Sequence, residues 1–96
     1  MLRSGKGLRS DRVIVFVAPG EGPCRGAWVA GRRVGPAVVR NRARRLLRQA
    51  WWELWPRIDD GHDVVLVARS SLEGAGAPEV TEEIEGLLHR AGVMRR

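Results

Sequence analysis

Residues 34–50 read Val34-Gly35-Pro36-Ala37-Val38-Val39-Arg40-Asn41-Arg42-Ala43-Arg44-Arg45-Leu46-Leu47-Arg48-Gln49-Ala50. Gly35-Pro36 is typical of a helix start, because proline lacks the N–H that the first helical turn leaves unbonded. The alanine, leucine, glutamine and arginine residues that follow favour helix. Pro56 should stop this helix near Trp55. We therefore predict one long helix at the centre of the chain.

An apolar stripe follows one side of this predicted helix. Six apolar side chains fall within an arc of about 100°, which is the usual width of a helix face that packs on a protein core. They are Val39, Ala43, Leu46, Leu47, Ala50 and Leu54. We therefore expect the helix to lie against the rest of the domain along this stripe.

Arginines form a ridge immediately beside the stripe. Arg40, Arg44 and Arg48 repeat at every fourth position, and residues 40–48 contain no acid. Like charges at this spacing destabilise a helix modestly, so the ridge is difficult to explain as a source of stability. Guanidinium groups match the oxygen atoms of phosphate, and Asn41 beyond the ridge can both donate and accept hydrogen bonds. The sequence therefore predicts that the helix binds a polyanion.

A solvated arginine face is the simpler alternative. Only one of the 17 basic residues is a lysine, Lys6, which indicates a general preference for arginine. A solvated face would normally include glutamate as well, and residues 40–48 have none. We therefore favour polyanion binding.

Charge is divided unevenly along the chain, whose net charge is +6. Residues 1–50 contain twelve basic and two acidic side chains, whereas residues 51–96 contain five basic and nine acidic ones. A basic half of this kind is typical of a nucleic-acid-binding surface. A membrane surface is a weaker alternative, since it requires exposed bulky apolar residues on a basic helix. DNA is also less favoured, because nothing resembles a helix-turn-helix with a short second helix.

The chain length indicates one domain with a modest core, over residues 13–96. Glycine and serine lower the helix propensity of residues 1–12, which we predict to be a flexible basic arm. Val13–Ala18 is an apolar run typical of a strand. Turn residues follow it, and Cys24–Ala30 is predicted as the returning strand of a hairpin.

Two further elements are predicted after the central helix. Val64–Ala68 is predicted as a buried strand that pairs in parallel after a helical crossover. A last helix is predicted from Pro78, with Gly92 as its end and an acidic outer face.

Three tryptophans, Trp51, Trp52 and Trp55, lie in the last turns of the central helix. Exposed indoles at these positions could stack on bases or ribose. Alternatively, they could pack beneath the sheet edge and the last helix. Because a small domain has little core area, we favour packing and leave these residues outside the predicted site.

The sequence contains no recognisable constellation for catalysis by protein side chains. It lacks a cluster of paired carboxylates, a nucleophile with a histidine and an acid, a phosphate-binding glycine loop and zinc-ligand spacing. Cys24 is the single cysteine, which excludes an internal disulfide and predicts an inert thiol. Asp59-Asp60-Gly61 is more typical of a turn than of a metal site. Because the sequence has no membrane span or signal peptide, we expect a cytoplasmic protein.

The central stretch resembles the signature of the bacterial ribonuclease P protein family. The matching residues are Arg32-Arg33-Val34-Gly35-x-Ala37-Val38-x-Arg40-Asn41-Arg42-x-Arg44-Arg45-x-Leu47-Arg48. The family has a basic pair, Val/Ile-Gly, Ala-Val, an Arg-Asn-Arg triplet, two basic residues and Leu/Ile-Arg at this spacing. The resemblance extends over residues 12–92, including the strand Gly61–Arg69 and the final helix.

This resemblance implies the protein subunit of a ribonucleoprotein. In the family, a large RNA that uses Mg²⁺ ions removes the 5′ leader of precursor tRNA. The small basic protein binds that catalytic RNA, contacts the leader and raises the affinity for substrate and metal. The implied partners are therefore the catalytic RNA and precursor tRNA, and the implied Mg²⁺ is bound by the RNA rather than by this chain.

The resemblance also implies the residues of the RNA-binding site. Arg32 and Arg33 match the basic pair of the family, and Gly35 would allow close approach of the backbone. The helix residues that would lie against the catalytic RNA are Arg40, Asn41, Arg42, Arg44, Arg45 and Arg48. No catalytic or metal-binding residue of the protein itself is implied.

The fold implied by the resemblance is a compact two-layer α/β (α+β) sandwich, like the second domain of ribosomal protein S5. Its mixed sheet includes two strands joined through the basic helix by a left-handed crossover, although such connections are usually right-handed. Because a ribosomal protein shares this fold type, a non-enzymatic RNA-binding module in ribosomes or RNA assembly is the rival function.

Three departures from the family pattern stand out. The family usually begins with a helix carrying Arg-Leu and an acid-Phe pair, which lines the cleft for the leader. This helix is missing from residues 1–12, and we expect the sequence upstream of Met1 to encode it. Val29 and Gly31 stand where the family often has small hydroxyl residues, and Pro36 stands where it often has asparagine. The first two departures concern the leader contact rather than the contact with catalytic RNA.

Overall fold

The computed structural model describes residues 6–95, which form a four-stranded sheet and two helices. The strands are β1 (Lys6–Arg9), β2 (Val13–Pro19), β3 (Arg25–Ala30) and β4 (His62–Ala68), and the helices are α1 (Ala37–Leu54) and α2 (Ala77–Ala91). The strand order is β1-β2-β4-β3. β3 and β4 are parallel, and the other neighbours are antiparallel. The predicted mixed sheet with a basic crossover helix is therefore confirmed, while the hand of the crossover stays a prediction.

The central helix α1 has nearly the predicted limits. Pro36 is its N-cap residue, with extended backbone angles, and the N–H of Arg40 donates to the carbonyl of Pro36 at 2.9 Å. The chain tightens into a 3₁₀ turn over Trp55–Arg57, where Pro56 cannot supply a helical N–H. The predicted apolar stripe is confirmed: Ala43, Leu47, Ala50 and Leu54 are buried, and Val39 and Leu46 are partly buried against them.

Both helices contribute to one core on one face of the sheet. The strands supply alternate residues to this face, as a pleated strand must. These inward residues include Val13 and Val15 of β2 and Val64, Leu66 and Ala68 of β4. α2 contributes Val80, Ile84, Leu87 and Leu88. On the opposite face, Ile14, Phe16, Val65 and Val67 are only partly buried.

The predicted hairpin between the second and third strands is wrong. β2 and β3 do not pair, because β4 lies between them and bonds to both. Val13 of β2 is opposite Ala68 of β4, and Ala30 of β3 is opposite the same Ala68. The apolar run of β4 therefore lies in the interior of the sheet, with a strand bonded along each of its edges.

The predicted flexible arm over residues 1–12 is wrong for its second half. Lys6–Arg9 forms β1 and pairs with β2, with Leu8 opposite Val15. Leu8 packs against the core, and this tertiary contact outweighs the weak strand preference of the surrounding glycines. Residues 1–5 of the predicted arm lie outside the described residues.

Packing of the tryptophans is confirmed for one of the three. Trp51 is 1% exposed and belongs to the core, whereas Trp52 is 54% and Trp55 37% exposed. The rings of Trp52 and Trp55 meet edge to face, with centroids 5.9 Å apart. The indole N–H of Trp55 donates to the carbonyl of Cys24 at 2.8 Å. The packing prediction is therefore wrong for the exposed Trp52.

Candidate nucleic-acid interface

Acidic side chains neutralise arginines outside α1. The ion pairs are Arg12–Glu83 at 3.0 Å, Arg25–Asp63 at 3.1 Å, Arg57–Glu85 at 2.8 Å, and Arg95 with Asp59 and Asp60. Within residues 6–95, no arginine of α1 forms an ion pair, and neither does Arg32 or Arg33. Of the ten described arginines that form no ion pair, seven therefore lie on α1 or in the turn before it.

The arginine ridge borders a cleft between α1 and β3. The cleft has a volume of about 220 Å³ and is lined by Trp28, Asn41, Arg44, Arg45 and Arg48. β3 is the last strand of the sheet, so its outer edge is not bonded to another strand of the described chain. The structure thus brings four of the predicted site residues together around one opening.

Hydrogen bonding within this group fixes Asn41 relative to the ridge. A guanidinium N–H of Arg44 donates to the side-chain carbonyl oxygen of Asn41. This bond uses the amide oxygen and leaves the two amide N–H donors of Asn41 available. Asn41 therefore offers donors beside the guanidinium groups, and phosphate and carbonyl oxygens are the acceptors that suit them.

Arg40 lies at the more buried end of the ridge. Its side chain is half-buried, and its Nε atom is enclosed without a hydrogen-bond partner in the described part of the chain. The side chain of Arg40 is therefore more enclosed than those of Arg45 and Arg48, which are exposed.

Arg42 lies on the other side of the apolar stripe, away from the ridge. Its guanidinium donates to the carbonyl of Ala75, in the loop before α2, at 3.1 Å. With Val38 and Leu72 it lines a separate cleft of about 250 Å³. The structure therefore does not bring Arg42 into the cleft beside β3. Its hydrogen bond to Ala75 instead links α1 to the loop before α2.

The basic pair precedes α1 in a 3₁₀ turn over Arg32–Val34. Arg32 and Arg33 are exposed and line a groove of about 470 Å³ that also includes Arg69, Ile14 and Val67. Arg69 is anchored there, since its guanidinium donates to the carbonyl of Ser10 at 2.8 Å. The pair is thus separate from the cleft and lies where the turn meets the open face of the sheet.

Gly35 is required by the backbone at the start of α1. Its φ is +146°, in the region that side chains other than glycine rarely adopt. A Cβ at this position would also lie 3.0 Å from Cγ1 of Val39. The structure gives Gly35 a role in the turn between the basic pair and the helix, and its approach to RNA stays a prediction.

Trp28 is the cleft residue that the sequence analysis missed. The alternation of side chains along β3 could have indicated its position. Gly26, Trp28 and Ala30 lie on one face of the strand, and Ala30 is buried. Pairing of Trp28 with Leu66 of β4 places it on the face that carries the helices. The side chain packs against the core and also lines the cleft.

Cys24 and His62, the two other residue types that often take part in catalysis, lie apart from the arginine ridge. Burial, with a smaller contribution from Asp63 and Asp60, raises the pKa of the Cys24 thiol to about 11. His62 lies at the start of β4, with its Nδ1 atom 3.3 Å from the carbonyl of Asp59. Residues 6–95 contain no cluster of three or more histidine, cysteine, aspartate or glutamate residues suited to a metal ion. None of the described helices is both long and apolar enough to span a membrane.

Comparison with known proteins gives consistent results. A family model described as "Ribonuclease P" matches residues 1–92. The ribonuclease P protein component of Symbiobacterium thermophilum is 38% identical over 94 residues, which make up 96% of this chain and 82% of the relative. The ribonuclease P protein component of Pelotomaculum thermopropionicum is 34% identical over 94 residues, or 97% and 84% of the two chains.

The fold of this chain is similar to solved structures of RNase P proteins. The RNase P protein from Thermotoga maritima has a TM-score of 0.82 at 28% identity, over 92% of this chain and 84% of that one. The Staphylococcus aureus RNase P protein has a TM-score of 0.84 at 19% identity, over 97% and 86% of the two chains, and is similar in fold. The family match covers the whole of α1 and of the turn that carries the basic pair. This chain therefore belongs to the ribonuclease P protein family.

Proposed function

We propose that this chain is the protein subunit of ribonuclease P and that the arginine face of α1 binds the catalytic RNA of the enzyme. Family membership supports the role in tRNA 5′ maturation. In this proposal the bond cleavage is carried out by the RNA with its Mg²⁺ ions. The protein contributes binding and charge neutralisation, and acts on precursor tRNA as part of the complex.

One observation carries the assignment of the RNA-binding face. Five acidic residues of the described chain pair with arginines elsewhere, and none pairs with an arginine of α1. Each phosphate that a guanidinium neutralises releases condensed counterions, which favours binding at moderate salt. The arginine ridge therefore suits a negatively charged partner such as RNA.

Charge neutralisation by the arginines would make the effect of the protein depend on the Mg²⁺ concentration. Catalytic RNA and precursor tRNA are both polyanions, and divalent ions must offset their repulsion when no protein is present. Arg44, Arg45 and Arg48 would supply part of that positive charge. The protein should therefore have its largest effect on cleavage when Mg²⁺ is scarce.

Reconstitution tests the proposal directly. The purified chain is added to the catalytic RNA of the same organism, and release of the 5′ leader from precursor tRNA is measured at low and high Mg²⁺. We expect marked stimulation at low Mg²⁺ and a smaller effect at high Mg²⁺. Lack of stimulation at either concentration, with a folded protein, would contradict the proposal and favour a ribosomal or assembly RNA-binding protein.

A further inference from the structure

The cleft between α1 and β3 combines two kinds of group that serve different purposes. Arg44, Arg45 and Arg48 supply positive charge, and Trp28 supplies an aromatic surface at the strand side of the same opening. Phosphate binding alone requires only the arginines. The indole therefore adds a contact of another chemical type.

The position of Trp28 suits a ligand with a flat apolar ring. Trp28 is partly buried and rests on the core, which holds its ring in place. Stacking of a base on a fixed aromatic ring requires little loss of side-chain freedom and accepts any base, because every base has a π-face. The amide donors of Asn41, on the helix side of the cleft, could bond to an acceptor on the edge of such a base.

Base pairing restricts which RNA can use this cleft. In an A-form duplex the base faces are covered by neighbouring base pairs, so a side chain meets phosphates, ribose and base edges instead. An unpaired nucleotide in a loop, bulge or single strand exposes a face that can stack. An indole that stacks on a base would thus favour unpaired RNA over a duplex, whereas phosphate contacts by the arginines would not.

We propose that the cleft lined by Trp28, Asn41, Arg44, Arg45 and Arg48 binds one unpaired nucleotide of RNA. Its base stacks on the indole of Trp28, and its flanking phosphates bind the guanidinium groups. This site rests on the proposed function in that RNA is the partner of α1, and it adds recognition of an unpaired base to the binding of phosphates.

The test compares three RNA ligands of equal length: oligouridylate, an abasic ribose-phosphate oligomer, and a duplex. Their affinities are measured for the unchanged chain and for Trp28→Leu, which keeps an apolar side chain on the core. Trp28→Phe retains an aromatic ring, and Trp52→Leu removes an exposed indole outside the cleft as a matched control. Thermal unfolding of each variant shows whether it is folded.

We expect Trp28→Leu to weaken oligouridylate binding by about 5- to 150-fold, the range for loss of one stacked base. Duplex binding should change little, and Trp28→Phe should fall between the unchanged chain and Trp28→Leu. The abasic oligomer should bind the unchanged chain about as weakly as oligouridylate binds Trp28→Leu. Trp52→Leu should leave the preference for oligouridylate over the abasic oligomer intact.

Two results would overturn the site. One is an equal loss for oligouridylate and duplex in folded Trp28→Leu, or no loss for either. The other result needs no variant. If the unchanged chain binds oligouridylate and the abasic oligomer with equal affinity, stacking on Trp28 is excluded, even if Trp28→Leu fails to fold. These measurements are separate from cleavage, so failure to stimulate catalytic RNA would contradict the proposed function without removing a stacking preference measured here.

Discussion

Gly26 of β3 lies directly beneath the indole of Trp51 of α1, so closely that a Cβ at Gly26 would be 2.5 Å from Cε2 of the ring. Trp51 is buried in a close-packed core, so its ring has little free space in which to move away from such a contact. The absence of a side chain at Gly26 therefore sets how closely α1 approaches β3, and with it the width of the neighbouring cleft.

Gly26→Val should destabilise the domain by overpacking this contact. We expect a loss of about 1–3 kcal/mol in the free energy of unfolding, measured by urea denaturation. Gly31→Val is the matched control, because a Cβ at Gly31 would meet no atom within 4 Å. An equal effect of the two substitutions would show that the Gly26–Trp51 contact does not limit the packing of α1.

Arg44→Glu combined with Arg48→Glu should abolish stimulation of the catalytic RNA, because repulsive charges replace two phosphate contacts. Thermal stability should hold or rise, since like charges on α1 are relieved. Arg9→Glu combined with Arg90→Glu makes the same change in charge on two exposed arginines that form no ion pair in the described chain, and should retain most stimulation. Unfolding of the Arg44 and Arg48 variant would instead show that the ridge is structural.

Arg48→Ala should also reduce the salt dependence of RNA binding. Loss of one phosphate contact lowers the slope of log affinity against log salt by about 1. The slope is obtained from titrations at several KCl concentrations, with Arg90→Ala as the control. An unchanged slope in Arg48→Ala would mean that this guanidinium does not contact phosphate.

Glu83 of α2 should make stability depend on acid pH. Burial raises the pKa of its carboxyl, but hydrogen bonds from the Ser10 hydroxyl and from the backbone N–H and guanidinium of Arg12 outweigh burial and lower it below the ordinary value of 4.5. A depressed folded-state pKa stabilises the fold above about pH 4.5, and this contribution is lost as the pH falls through the lower folded value.

Glu83→Gln should therefore lower the free energy of unfolding by about 1–3 kcal/mol at neutral pH. The difference from the unchanged chain should narrow as the pH falls below 4.5. Denaturation at a series of pH values checks this, with the exposed Glu82→Gln as the control. A difference that stays constant down to the lowest pH would contradict the assigned ionisation of Glu83.

Cys24 should react slowly with thiol reagents in the folded protein. Its pKa of about 11 lies two pH units above the ordinary value of 9.0, which lowers the thiolate fraction at neutral pH by about 100-fold. Alkylation by iodoacetamide should be slow at neutral pH and become fast in denaturant. Cys24→Ala should leave stimulated cleavage within a few-fold of the unchanged chain, and a larger loss in a folded variant would indicate a role in the reaction.

Local sequence information predicted the helices better than the sheet. The start and the apolar stripe of α1 follow from Gly35-Pro36 and helical spacing, both of which are properties of neighbouring residues. The insertion of β4 between β2 and β3 depends on pairing between residues 38 to 55 positions apart, which no turn signal encodes. β1 was missed for a related reason, because Leu8 gains its burial only from the completed core.

The candidate site was predicted in part, for the same physical reason. Helical spacing grouped Arg40, Arg44 and Arg48, and the structure places Arg44 and Arg48 of this ridge at one cleft. It could not show that Arg42 contacts the loop before α2, since that contact depends on where the loop lies. Trp28 was overlooked because its neighbours across the cleft come from a different element.

The central position of β4 also determines when the chain can fold during synthesis. β3 has no strand partner until β4, His62–Ala68, has been synthesised. Before that point, β2 can pair only with the short β1. α1 is also made before β4 and α2, which supply part of the surface that buries its apolar stripe. We therefore expect the sheet to close late in synthesis, after β4 has emerged and after the most basic segment of the chain has been made.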